Sequence, residues 1–273
     1  TAAAIFAVLE EGLIYVVLDP TAPEERLKKH IRECVVLTDQ QLYSLSSQLS
    51  FPDQVVHLLK TDFQGSVDKE RQVKETDTAA LFYTSGSTGQ PKRIFHTHGN
   101  ILKEIAIHSS TLKITSQDRF SSCYSLTTVG ANRDFYAAFL NGATLCPFPF
   151  KKEGMIALKE WINTCGITVL HLVPAIYRRL MQTLSPHEIF SSVRIVFLAG
   201  DRVSFNDVLL FRQHFSPEAL FYTGIGTSET CSLYAHWFVP RSWEKTPLPV
   251  GYPISNTTIH IIDEKGDSVP QGE

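Results

Sequence analysis

Between Leu81 and Lys92 the chain passes from Leu-Phe-Tyr into Thr84-Ser85-Gly86-Ser87-Thr88-Gly89-Gln90-Pro91-Lys92. Gly86 and Gly89 have no Cβ, so the backbone there can take positive φ and come close to a ligand. The hydroxyls of Thr84, Ser85, Ser87 and Thr88, with exposed backbone N–H groups, form a donor-rich nest to which Lys92 adds a positive charge. Such a loop suits the tail of a nucleotide triphosphate. It is not the P-loop of kinases and GTPases, which needs Gly, four residues, then Gly-Lys-Ser/Thr. Gly89 is followed by Gln90 and Lys92 by Arg93, so that spacing fails. A flexible linker has the same composition, but here the polar stretch separates two strand-like runs, 79–83 and 93–96.

The run TSGSTGQPK resembles the signature loop of the AMP-forming adenylating enzymes, the superfamily of acyl-CoA synthetases, nonribosomal peptide synthetase adenylation domains and luciferases. Further segments resemble the same superfamily over nearly the whole chain. EEGLIYVVLDP resembles its "aGxaYvPlDP" text, and His171-Leu172-Val173-Pro174 its "hxvP" corner. Ala199-Gly200-Asp201 matches the "GGE" turn on which relatives lay adenine, and Val250-Gly251-Tyr252-Pro253 the "vGxP" turn. Ile225-Gly226-Thr227-Ser228-Glu229 aligns with "YGxTE". Glu229 would then hold Mg²⁺, Ser228 would touch phosphate, and Ile225, beside Gly226, would replace the aromatic ring on adenine.

The resemblance implies an α/β fold of layered αβαβα sheets with the start of a β-barrel-like subdomain. A small C-terminal lobe would lie beyond residue 273. One AMP-binding domain would occupy 1–273, with sub-lobes at 1–78 and 79–240 and a stretch 241–273 entering the β subdomain. The implied reaction is attack of a substrate carboxylate on the α-phosphate of ATP, giving an acyl adenylate and pyrophosphate. A carboxylate is already ionised at neutral pH, so no general base is required. Thr88, Lys92 and Glu229 would be catalytic; Gly200, Asp201 and Ile225 would sandwich or edge the adenine. The activated acid would pass to a thiol, the phosphopantetheine of a carrier-protein domain or coenzyme A. A peptide synthetase module, a free acyl-CoA or acyl-ACP synthetase, and a non-catalytic nucleotide-binding scaffold all stay open.

Some residues depart from the pattern. Arg93 stands where relatives carry Gly. Val129 stands where amino-acid-activating relatives place the acid that binds the α-amino group, and the nearest acid, Asp134, falls inside a predicted helix. A buried ammonium with no carboxylate costs several kcal/mol, which argues against an ordinary α-amino acid. Arg133 would either meet a second acidic or polar group on the substrate or lie on a solvated helix face. His171 would either line the carboxylate pocket or be a satisfied core histidine. His96 and His98 have no cysteine or carboxylate cluster beside them, so no metal role is expected for them.

The elements that must position these residues alternate as helix and strand. Helices are expected at 2–11, 23–33, 40–49, 100–111, 131–140, 153–163, 174–184 and 205–214. Strands are expected at 14–18, 35–37, 55–59, 79–83, 93–96, 119–124, 144–147, 167–173, 193–198, 219–222 and 257–262, with a polar connector at 60–78 and a hairpin turn at 263–267. The 273 residues, 43% hydrophobic, suffice for a full core. A net charge of −3 and a pI near 6.4 give no basic field, so nucleic acid is not an expected partner. No run is apolar and long enough for a bilayer span. Five scattered cysteines without a CxxC pair fit reduced thiols and a cytoplasmic location. The chain begins without Met inside a helical pattern and stops at a turn, so it is expected to be part of a longer protein.

Overall fold

Five of the expected strands align side by side in parallel in the computed structural model, which describes residues 2–31, 36–38, 55–57, 72–84, 92–231 and 233–270. The chain divides into two compact units, residues 1–101 with 125–127, and residues 102–124 with 128–273.

The first unit contains α1 (Ala2–Glu10), α2 (Glu24–Ile31), β1 (Val36–Thr38), β2 (Val55–His57), β3 (Thr78–Thr84) and β4 (Lys92–Thr97). β1 and β2 pair in parallel, and β3 and β4 form an antiparallel hairpin with Thr84 opposite Lys92 at the end where residues 85–91 join the strands. Ala79, Ala80 and Phe82 on one strand and Ile94 and His96 on the other are buried, and the His96 ring packs 4.8 Å from that of Phe82. The strand expected at 14–18 is not formed. Only Tyr15 bridges to Ala80, because residues on both sides of it make no ladder bonds. The helix expected at 40–49 lies outside the described residues.

The chain continues through α3 (His98–Leu112) into the second unit, which holds β5 (Arg119–Ser122), α4 (Val129–Leu140), β6 (Thr144–Pro147), α5 (Phe150–Thr164), β7 (Val169–Leu172), α6 (Pro174–Met181), β8 (Ile195–Leu198), α7 (Phe205–His214), β9 (Leu220–Gly226), β10 (Leu233–Val239) and β11 (Tyr252–Pro253). The sheet runs β11-β10-β9-β8-β7-β5-β6; β6, β5, β7, β8 and β9 are parallel and the last two strands antiparallel. Leu170, Leu172, Val196, Leu198 and Phe221 face a core built with Leu158 and Ile162 of α5, Tyr177 and Leu180 of α6, and Val208 and Phe211 of α7. Helix starts are locally encoded. Thr128 caps α4 by accepting from Ala131 N, Pro174 opens α6, and Ser204 and Asp207 form a capping box on α7.

Two expectations fail in this unit. The strand expected to end at Tyr222 continues to Gly226, so Thr223–Gly226 belongs to β9 and pairs with β10, which the sequence reading did not foresee. The strand expected at 257–262 reduces to a single Ile262–Ser268 bridge; Ile259, Ile261 and Ile262 are exposed and so gain nothing from lying on a sheet face. The turn at 263–267 is present, with Asp263 N–H bonded to Asp267 O at 2.9 Å.

A candidate active site at the strand ends

From β5 the chain winds one way to β6 and then returns to build β7, β8 and β9 on the other side. The order therefore reverses between β5 and β7, and in open α/β sheets ligands bind outside the carboxyl ends of the strands at such a point. The residues gathered there are Tyr124 after β5, Val129 and Gly130 at the start of α4, and His171 and Val173 at the end of β7. Neighbouring contacts stitch the crevice together. Ser121 Oγ accepts from His171 N at 2.9 Å, and the Val173 amide donates to the Tyr124 hydroxyl.

His171 is in register with Phe197 of β8, and Phe197 with Tyr222 of β9, so three rings form a row across the sheet. His171 stacks on Phe197 at 4.2 Å. Its Nδ1 lies 2.6 Å from Asp134 Oδ2, so of its two expected settings it has that of a buried, partnered histidine, and it has it at the switch point. Arg133 is not on a solvated face, as one expectation had it. It points inward, 8% exposed, with its guanidinium 4.7 Å above Phe197 and Nη1 3.7 Å from Glu104 of α3. Val129 opens α4 and places no carboxylate at the crevice.

Sequence reasoning missed Glu104, His108 and His236, which join this row from α3 and β10. Tyr222 Oη and His236 Nδ1 are 2.6 Å apart. Burial, and after it the charge of Arg133, keeps His108 well below the usual histidine range, so it is neutral at pH 7. Glu104, His108, Tyr222 and His236 line part of a cavity of about 10 Å³, room for about one water. The signal available in the sequence was the i, i+4 spacing of Glu104 and His108 beside Ile101 and Ile105, which puts all of them on neighbouring faces of one helix.

The chemistry open to this cluster is binding and orientation. Burial, with Asp134 adding to it, pushes the Cys123 thiol up to about 12, and burial with Glu104 does the same for Cys231, so neither is a ready nucleophile.

The other expected residues sit at the next strand ends. Gly200 follows β8 with φ +87°, and exposed Asp201 accepts from Arg202 N at 2.6 Å. Ile225 and Gly226 end β9, both solvent-exposed, and Ser228 and Glu229 lie in the turn that follows, where Thr227 and Thr230 bond each other. Glu229 is exposed and makes no hydrogen bond or ion pair among the described residues. In the first unit, Thr84 and Lys92 pair across the hairpin at the end joined by residues 85–91. Ser85, Gly86, Ser87, Thr88 and Gly89 lie outside the described residues. Among the described residues no group of three or more His, Cys, Asp or Glu could hold a metal ion, and no helix is long and apolar enough to cross a membrane.

Comparison with known proteins bears on what this arrangement serves. The chain is 26% identical over 278 residues to surfactin synthase subunit 2 of Bacillus subtilis (strain 168), an alignment covering 100% of the chain and 8% of that protein. Against surfactin synthase subunit 1 of the same organism it is 30% identical over 276 residues, covering 98% of the chain and 8% of the relative. The chain therefore spans under a tenth of these relatives. The solved structure of O-succinylbenzoate coenzyme A synthetase from Bacillus subtilis, in complex with ATP and magnesium ion, superposes with a TM-score of 0.81 at 22% identity, covering 100% of the chain and 56% of that structure's chain. At that identity the likeness establishes the layered α/β fold. The family described as AMP-binding enzyme matches residues 1–273 in full, and the chain belongs to it.

Proposed function

We propose that the chain is the ATP- and acid-binding part of an adenylation domain, which joins a carboxylic acid to AMP with release of pyrophosphate, in a protein related to the nonribosomal peptide synthetases. The activated acyl group would then pass to the phosphopantetheine thiol of a carrier-protein domain, or to coenzyme A in a free-standing synthetase. The scattered cysteines suit a reducing compartment such as the cytosol.

The reaction needs no proton removed. Its obstacle is the repulsion between a carboxylate and a polyphosphate, which positioning and charge neutralisation overcome. Lys92 and the hydroxyls of Thr84, Ser85, Ser87 and Thr88 would hold the terminal phosphates, while Ser228 would donate to the α-phosphate. Gly200, Asp201, Ile225 and Gly226 would receive the adenine. His171, Val129 and Arg133 would line the acid's pocket. Glu229 fits a Mg²⁺ ligand, since that ion prefers one or two carboxylates plus phosphate oxygens and the Glu229 carboxylate is uncommitted among the described residues. Bound there, the ion would neutralise phosphate charge.

The observation that carries this reading is that uncommitted carboxylate, placed at the carboxyl end of β9 beside exposed Ile225 in a chain of this family. The test is acid-dependent ATP–pyrophosphate exchange by the full-length protein across a broad acid panel. Glu229→Ala should cut exchange more than about 100-fold while leaving the melting temperature unchanged. Full exchange by Glu229→Ala would refute the role of Glu229, and no exchange with any acid would refute adenylation. Arg93 and Ile225, the departures from the family pattern, favour a second reading as a nucleotide-binding scaffold, in which partner binding would be indifferent to Glu229→Ala.

A further inference from the structure

Arg133 of α4 and Glu104 of α3 bury opposite charges on the sheet face that adjoins the switch point. Their separation of 3.7 Å is an ion-pair distance but too long for a hydrogen bond. Arg133 Nε is buried with no hydrogen-bond partner among the described residues. A guanidinium carries five N–H donors in a fixed fork, and leaving them unfilled in a dry site is costly. Arg133 thus has its counter-ion, while its Nε lacks an acceptor among the described residues.

The start of α4 lies beside it. A Cβ built on Gly130 would stand 4.0 Å from Arg133 Nη2 and 3.5 Å from His171 Cε1, in van der Waals contact with both. The guanidinium fork and the imidazole therefore both reach the start of α4, at the crevice where the topology places ligands.

We propose that the Arg133–Glu104 pair selects a carboxylic acid bearing a second, uncharged oxygen acceptor, a hydroxyl or keto group, which takes the unfilled guanidinium donors. The inference rests on the adenylation reading above. Charge decides the class. Glu104 balances Arg133, so a second carboxylate on the substrate would be stripped of water beside both Glu104 and Asp134 with no cation left to meet it. A hydroxyl or carbonyl oxygen accepts the same hydrogen bonds without adding charge. On this account Glu104, which lies on a different helix from the crevice residues, is a specificity-determining residue that acts through Arg133.

The experiment is exchange by the full-length protein with matched acids: hexanoate against 2-hydroxy-, 2-oxo- and 6-hydroxyhexanoate, benzoate against its three hydroxy isomers, and the dicarboxylates adipate and phthalate. One hydroxy or keto acid should exceed both its parent and the dicarboxylates by about 10–100-fold in kcat/KM. Arg133→Met should reduce that preference over the parent to below about 3-fold. Glu104→Gln, which leaves Arg133 uncompensated, should raise the relative rate with dicarboxylates by about 10-fold. Since Arg133→Met removes the ion-pair partner of buried Glu104 and can unfold, the Glu104→Gln/Arg133→Met double variant, checked by thermal melting, measures the same loss. Retained preference in either Arg133 variant, or an unmoved dicarboxylate rate in Glu104→Gln, overturns the proposal while adenylation stands. Exchange with no acid at all removes the adenylation reading and this inference with it.

Discussion

Nδ1 of His171 stands 2.6 Å from Oδ2 of Asp134, so the carboxyl end of β7 is held by the middle of α4. Both side chains are almost completely buried, and the same histidine bonds β5 through its own amide to Ser121. The pair therefore joins one helix and two strands at the point where the sheet changes direction.

Asp134→Ala removes one partner of a buried pair and leaves the imidazole facing a void. The expected loss is about 2–4 kcal/mol of stability, read as a lower urea midpoint with unchanged slope. Asp134→Asn keeps the shape and an acceptor oxygen, so it should lose about half as much. An unchanged midpoint in Asp134→Ala would show that the pair contributes nothing to the fold.

A second buried carboxylate makes stability depend on pH. Burial by itself would raise the Asp118 pKa, but Arg194, with two bonds of 2.7 Å, the Thr115 amide and the Thr168 hydroxyl outweigh it and hold the group below its ordinary value. A group lowered on folding stabilises the protein above its unfolded pKa, about 4, and loses that contribution as pH falls through the folded value. Asp118→Asn should therefore cost about 1–3 kcal/mol at pH 7, and the gap between the two proteins should narrow steadily below about pH 4. Urea titrations at pH 7, 5 and 3 measure it; a gap that is constant with pH would contradict the assignment.

The parallel strands were legible because Ile195–Leu198 is an unbroken apolar run and Val169–Leu172 is broken only by His171, both buried on both faces. β10 was not. Its residues Leu-Tyr-Ala-His-Trp-Phe-Val mix polar and aromatic side chains, and their pairing is decided by β9, which cannot be read locally. Glycine misled in the same place. Gly224 and Gly226 looked like loop residues, yet the chain stays extended through both. The expectations for Gly200, Ile225 and Glu229 came from resemblance to family motifs, whereas Glu104 and His108 drew none, because what their side chains meet depends on what α3 packs against.

Gly224 itself is there for close approach. A Cβ at that position would come within 2.8 Å of both the Ala235 carbonyl oxygen and Leu233 Cδ1. The leucine methyl can rotate away, but the carbonyl belongs to the paired strand and cannot. Gly224→Ala should cost about 2 kcal/mol or more and speed amide hydrogen exchange along β9 and β10 ahead of β7 and β8. Uniform protection across all four strands would mean that the sheet absorbs the methyl.

Gly130 offers the opposite case, a position where a methyl fits without a clash. A Cβ there meets His171 Cε1 at 3.5 Å, an ordinary van der Waals contact. Gly130→Ala should thus be neutral or stabilise by up to about 1 kcal/mol, since it also removes backbone freedom from the unfolded chain. Gly130→Phe would instead drive a ring between His171 and the Arg133 fork, where the acid is proposed to bind. In the full-length protein its KM for the acid should rise at least about 10-fold while that for ATP stays within about 2-fold, because the expected adenine contacts at Gly200 and Ile225 lie at other strand ends. A rise confined to ATP would place the acid elsewhere, and equal loss for both would mean that the ring has disturbed the sheet rather than blocked a pocket.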